Sequence, residues 1–296
     1  MGLRANPTQR QRRLGVELRR LREAAGMSAT EAATFAGLSS PHLGHIEAAR
    51  TAIPEGKLRA LATAYGCQNE PLIEALVEMS AATGKGWWSD YRAPVHNQNA
   101  RDLAEIESSS VAVRSFQWVH MPGLLQTTEY MRSLFAGSNQ DASPEEIDKY
   151  VDFRKRRQQI LTDDAPPTIH AVIHEAALHM QFVGVDVMSR QIEHLVELSR
   201  LPHVCIQILP FKAAYPATFG TPFVLFEGAV PELNTVYIEH PVSSPFIHEP
   251  AHLDGFAATF SQLGAAALPP VDLGIEPEFH AKKDSLGLIQ HVLYAM

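Results

Sequence analysis

Residues 28–50 read SATEAATFAGLSSPHLGHIEAAR, and the order of cap, small-residue helix, glycine, second cap and apolar pair decides the fold of the amino-terminal part. Ser28 can cap a helix through its hydroxyl, and Glu31 stands three residues on, where a carboxylate reaches back to the cap's N–H. Ala32, Ala33 and Ala36 let a second helix approach closely, and Gly37 can end the first helix because glycine takes left-handed backbone cheaply. Ser39 or Ser40 can cap the second helix, with Pro41 in its first turn, where a missing N–H costs nothing. Leu43 and Ile46 then point inward. At about 3.6 residues per turn the opposite face carries Pro41, Gly44, His45 and Ala48, with Ser40 at the tip. Such a face is free to enter a groove.

Working outward, Leu14, Leu18 and Leu21 predict a covering helix over 11–25, and residues 1–10 read as a disordered arm. The outward arginines Arg12, Arg13, Arg19 and Arg20, with Arg50 beyond the second motif helix, are candidate phosphate contacts. Helices over 57–65, through Leu58, Leu61 and Ala62, and 70–81, through Leu72, Ile73, Leu76 and Val77, complete a five-helix head. Residues 1–66 hold ten Arg or Lys against five Glu, so +5, which leaves −13 for the rest of a chain whose net charge is −8. A basic module on an acidic body suits a nucleic-acid reader whose second part avoids nucleic acid. An Arg-rich solubilising tail is the plainer reading of Arg4 to Arg13 alone.

From LGVELRRLREAAGMS to GLSSPHLGHIEAAR, over about residues 14–66, the sequence resembles the Xre, or Cro/repressor-type, helix-turn-helix family. The resemblance implies a lambda-repressor-like head that binds double-stranded DNA as a homodimer, with Ser40, Pro41, Gly44 and His45 toward bases. It also implies a structural ion pair between Arg22 and Glu47. Two positions depart from the family pattern: Ala29 stands where a DNA-anchoring glutamine is usual, and Ala49 where a glycine is usual.

The stretch TGKGWWSDYRAPVHNQNA, residues 83–100, reads as a connector. Its Trp87 and Trp88 are read as packing that pins head to body, with a ligand-stacking platform as the alternative. Beyond it, helix and strand periods mix. Strands are expected over 111–120, 168–173, 204–209, 222–226 and 235–239. Helices are expected over 101–109, from Thr127, from Ser143-Pro144, over 185–199 and 248–263, and after Asp284. The spacing of 168–173, 185–199 and 204–209 suits two parallel strands joined by a crossover helix. The expected organisation is an all-α head over 1–82, a connector over 83–100, and a larger α+β domain with a mixed sheet over 101–296.

The blocks VHMPGLLQTTEYMRSLF, FRKRRQQIL, PTIHAVIHEAALH and LPHVCIQILPF resemble the carboxy-terminal domain of a large actinobacterial group of Xre-type regulators. That resemblance implies an uncharacterised domain presumed to sense a ligand or partner, and genes that often neighbour one for a very small acidic protein.

Little in the chain points to catalysis. His174-Glu175-Ala-Ala-Leu-His179 is one residue too long for a zincin motif, which on a helix sets its histidines about 140° apart. His248 and His252 are four apart with no third ligand indicated, and no phosphate loop or nucleophile elbow is present. No metal or cofactor is expected. Cys67 and Cys205 are the only cysteines, read as free thiols, and no apolar run is long enough to span a bilayer. The protein is expected to be cytoplasmic and not an enzyme. Arg154, Glu175, Tyr215 and Phe219 form the candidate ligand pocket, near the ends of the proposed strands.

Two non-enzymatic functions follow. One is a dimeric transcriptional regulator whose body binds a small-molecule effector or a small acidic partner protein. The other is an antitoxin-like DNA-binding protein whose main role is to hold and neutralise a small neighbouring protein.

Overall fold

The computed structural model describes residues 3–91, 97–214, 220–240, 244–274 and 284–296. The chain divides into two compact units, one of residues 1–109 with 229–233 and the other of 110–228 with 234–296.

The first unit is all-α: α1 (Gln9–Ala24), α2 (Ala29–Phe35), α3 (Ser40–Glu47), α4 (Glu55–Ala64), α5 (Glu70–Ala81) and α6 (Gln98–Ser108). Local sequence sets the boundaries. Thr8 and Gln11 form a capping box that starts α1, Asn69 caps α5 and Asn97 caps α6. Because Asn97 supplies that cap, α6 begins at Gln98, three residues before the expected Arg101. The apolar stripes meet in one core of Leu18, Leu43, Leu58, Leu61 and Leu76, which also takes in Val230. Residues 3–10 are not a loose arm. The Arg4 N–H donates to the Arg50 carbonyl at 2.7 Å, and Gln9 is buried as α1 begins.

The second unit is α+β. In chain order it comprises β1 (Ala112–Gln117), α7 (Thr128–Ser138), α8 (Pro144–Gln158), β2 (Thr168–His174), α9 (Glu175–His179), α10 (Val185–Leu198) and β3 (Val204–Leu209). β4 (Phe223–Glu227), β5 (Thr235–Tyr237), β6 (Phe246–Ile247), α11 (Pro250–Ala266) and α12 (Ser285–Ala295) complete it. Among the described residues the strands make one mixed sheet, in the order β3-β2-β1-β4-β5-β6. β1, β2 and β3 run parallel, while β4 pairs with β1, β5 with β4, and β6 with β5, all antiparallel. β1 is therefore the hinge between the two halves of the sheet: Phe116 stands opposite Val172 on one side and Phe223 on the other. Those three residues pack with Phe260 and Leu263 of α11 into one core. α10 carries its buried Met188, Ile192 and Leu195 at helical spacing.

Among the described residues, no helix is long and apolar enough to cross a membrane.

Candidate nucleic-acid interface

The site is built from α2, the turn after it, and α3. Ser28 Oγ accepts from the Glu31 N–H at 3.3 Å, and the Glu31 carboxylate accepts from the Ser28 N–H at 2.8 Å. The Ser28 hydroxyl also donates to the Glu31 carboxylate at 2.6 Å, and this bond, with the one from the Ser28 N–H, holds the Glu31 carboxyl below the usual carboxylate range. Ala32, Ala33 and Ala36 are buried, which brings α2 close to its neighbours. Gly37, at φ +61°, reverses the chain, and the Leu38 N–H closes the turn on the Ala33 carbonyl at 2.8 Å. Ser39 is the cap of α3, accepting from the His42 N–H at 3.4 Å.

α3 is two-sided. Leu43 and Ile46 are buried, Pro41, His42, Gly44 and Ala48 are exposed, and Ser40 and His45 are half-buried. Thr30 of α2 donates to Ser40 Oγ at 3.4 Å, which ties the tips of the two motif helices together. His42 belongs to the exposed face although the sequence reading passed over it. Residue 42 stands four before the buried Ile46, so helical spacing alone sets it near the inner flank, and its exposure at the first turn carries no sequence signal.

Behind this face the frame is rigid. Arg22 of α1 donates from Nε to Glu47 Oε1 at 2.7 Å and from Nη2 to Oε2 at 3.0 Å. It also donates to the Met27 carbonyl at 2.9 Å. The hydrogen bond with Glu47 raises the Arg22 pKa, and burial together with the Glu47 charge pushes the Tyr65 hydroxyl up to about 12. Ala49, buried at the end of α3, takes φ +60°, a left-handed turn that a glycine would adopt more readily.

The expected phosphate cations do not share one environment. Arg50 is exposed, and Arg19 is exposed with an ion pair to Glu23 at 2.7 Å. Arg13 is a correction: its side chain is 6% exposed, lies 3.4 Å from Glu17 and donates to the Glu232 carbonyl. Helical spacing alone placed it outward; the carboxylate of Glu17 and the carbonyl of Glu232 turn that side of α1 into an interior. Arg12 keeps its side chain 41% exposed but donates to Asp102 at 2.7 Å, to Gln9 at 2.9 Å and to the Pro7 carbonyl. It therefore serves the packing of α1 against α6.

In the second unit, Arg154 and Glu175 have separate partners. Arg154 donates to Gln126 Oε1 at 2.6 Å and lies 4.6 Å from the Phe135 ring. Glu175 accepts from the Phe211 N–H at 2.7 Å, just past β2. Tyr215 and Phe219 lie outside the described residues. His174 ends β2 and accepts from the Ala176 N–H, so it shares no helix face with His179. Among the described residues, no group of three or more His, Cys, Asp or Glu could hold a metal ion. Trp87 packs edge-on against Trp88 and Tyr91, each at 5.8 Å.

Comparisons with known proteins find two family matches, the second of which begins within α6 of the first unit. A helix-turn-helix domain model matches residues 13–76, which span α2, the turn and α3. A domain of unknown function, DUF5753, matches residues 100–272. No curated protein and no solved structure matches the chain. The second match covers more than half of the sequence, and the chain belongs to the DUF5753 family, with a helix-turn-helix domain preceding that uncharacterised domain.

Proposed function

We propose that the protein is a sequence-specific, DNA-binding transcriptional regulator of the Xre type, without enzymatic activity. The observation that carries this reading is the two-sided α3, with Leu43 and Ile46 buried and Pro41, His42, Gly44 and His45 facing outward or half outward. A helix so held behind a capped α2 and a glycine turn is shaped to lie in a major groove. Ser40, Pro41, Gly44 and His45 meet base edges, while Arg19 and Arg50 meet phosphates. The +5 charge of residues 1–66, against −13 for the rest, steers this end of the chain to DNA.

The active species is a homodimer that reads two half-sites about one DNA turn apart. Residues 1–82 form its DNA-binding part, 83–100 the connector and 101–296 the part that dimerises and receives a regulatory partner, as in the actinobacterial group the sequence resembles. Phe182, between α9 and α10, and Phe211, just past β3, are 50% and 58% exposed, and such exposed aromatic surface favours a small partner protein over a small-molecule effector. The test is selection from a random duplex library with the full chain. Recovery of one symmetric motif supports a dimeric reader; an unchanged library contradicts DNA reading.

A further inference from the structure

Residues 229–233 belong to the first unit, although the strands on either side of them, β4 and β5, belong to the second. The chain therefore crosses between the units at 109–110 and again at both ends of this segment. Ala229 and Pro231 are exposed, whereas Val230 is buried in the core that also holds Leu14, Leu18, Leu43 and Ile46. Leu233, partly buried, packs against the same core.

The segment is tied at base and tip. The Gly228 N–H donates to Asn234 Oδ1 at 3.1 Å, and the Leu233 N–H donates to the Val230 carbonyl at 3.0 Å. Phe226 of β4 stands opposite Thr235 of β5, so the two strands run directly into that base. A connection held in this way moves with its strands.

Inside the first unit the segment bears on α1. The Arg13 guanidinium donates to the Glu232 carbonyl and lies 3.4 Å from Glu17, and both side chains are almost fully buried. Asn69, whose Oδ1 accepts from the Leu72 N–H to cap α5, donates from Nδ2 to Glu232 Oε1 at 2.9 Å. The other side of α1 meets α3, so closely that a Cβ on Gly15 would clash with the Glu47 carbonyl. Arg13 and Gly15 are two residues apart, which turns them about 200° around the helix. α1 is thus held between residues 229–233 and α3, and the close packing at Gly15 leaves no slack to absorb a shift.

We propose that Val230 and Glu232 are positioning residues for DNA reading, and that residues 229–233 form a control link from β4 and β5 to α3. A shift of β5 carries the link, α1 follows, and the face of Pro41, Gly44 and His45 moves with it. The link gives an event at the sheet a physical route to the affinity for DNA. Its effect on DNA rests on α3 being the reading helix.

The experiment combines hydrogen exchange of the full chain, without DNA, and DNA titration. Val236→Ala empties a fully buried position of β5 in the core of the second unit. It should speed exchange of α1 and α3 amides as well as those of β5, and weaken DNA binding by between about twofold and thirtyfold. In a chain with a glycine pair inserted after Gly228 and another after Leu233, the same substitution should speed β5 alone, because the strands then move without the link. A merely structural role for Val230 predicts neither result. Val230→Ala should also speed exchange in α1 and α3, and it carries the test if Val236→Ala fails to fold. Faster exchange confined to β5 in Val236→Ala, an equal effect with and without the inserted glycines, or native exchange of α1 and α3 in Val230→Ala would each overturn the link. Faster exchange in α1 and α3 with unchanged DNA affinity would overturn its control of reading. Failure of the native chain to bind DNA would count against α3 as a reader, and exchange would still decide the link.

Discussion

Arg22 of α1 grips Glu47 of α3 through two hydrogen bonds, at 2.7 and 3.0 Å, with side-chain exposures of only 11% and 9%. The pair fixes the last residue of the proposed recognition helix to the helix that covers it. Removing one partner leaves a poorly hydrated charge, which costs roughly 3–5 kcal/mol where burial is complete and somewhat less here. Glu47→Ala should therefore lower the urea midpoint strongly. The surface pair Arg19–Glu23, more than half exposed on both sides, should contribute far less. A double-mutant cycle on Arg22 and Glu47 measures the coupling directly, and a coupling near zero would remove the pair from the frame.

Gly15 and Gly44 should respond to alanine in opposite directions. A Cβ on Gly15 would stand 2.4 Å from the Glu47 carbonyl oxygen, so α1 and α3 must separate. Such overpacking costs about 1–3 kcal/mol, which exceeds the ~1 kcal/mol that alanine gains in a helix. Gly44 has nothing within 4 Å of that position. Gly44→Ala should raise stability by about 0.5–1 kcal/mol while weakening DNA binding, because its methyl group meets the groove. Chemical denaturation and DNA titration of both variants separate the two effects.

Salt dependence distinguishes the arginines. Arg50→Ala should reduce the slope of log K against log salt by about one without altering the fold. Arg13→Ala should leave that slope unchanged and lower stability, since Arg13 is buried against Glu17. Equal slopes for native protein and Arg50→Ala would remove Arg50 from the phosphate contacts.

Acid should weaken the second unit first. Burial lowers the pKa of His120, His170, His174 and His194 below the ordinary 6.5. For His170 the bond to Gln207, at 2.7 Å, partly opposes this. Below pH 6.5 the unfolded chain binds more protons than the folded one. Stability is thus fully present above 6.5 and is lost as pH falls toward the folded values. Urea midpoints taken between about pH 7.5 and 5.5 should fall, and His170→Gln should flatten the decline.

What the sequence disclosed was local. The cap at Ser28 and the helix starts at Thr127, Ser143 and Asp284 lie beside their helices, and the stripe of Leu72, Ile73 and Leu76 needs only its own period to be read. Non-local partners were not legible. That β1 pairs with both β2 and β4 depends on strands more than fifty residues away, and β6, two residues long, carries no period at all. Arg12 and Arg13 read as outward cations because Asp102 and Glu232, which engage them, lie far along the chain. In the candidate interface the exposed face of α3 followed from helical spacing, whereas His42, four residues before the buried Ile46, did not.

The central claim is that α3 reads DNA, and the most direct measurement is genome-wide occupancy of the native full chain beside a His45→Ala/Arg50→Ala variant. The account predicts discrete sites that share one motif and disappear in the variant while the variant stays folded. Diffuse occupancy by the native chain, or the same sites bound equally by the variant, would contradict it.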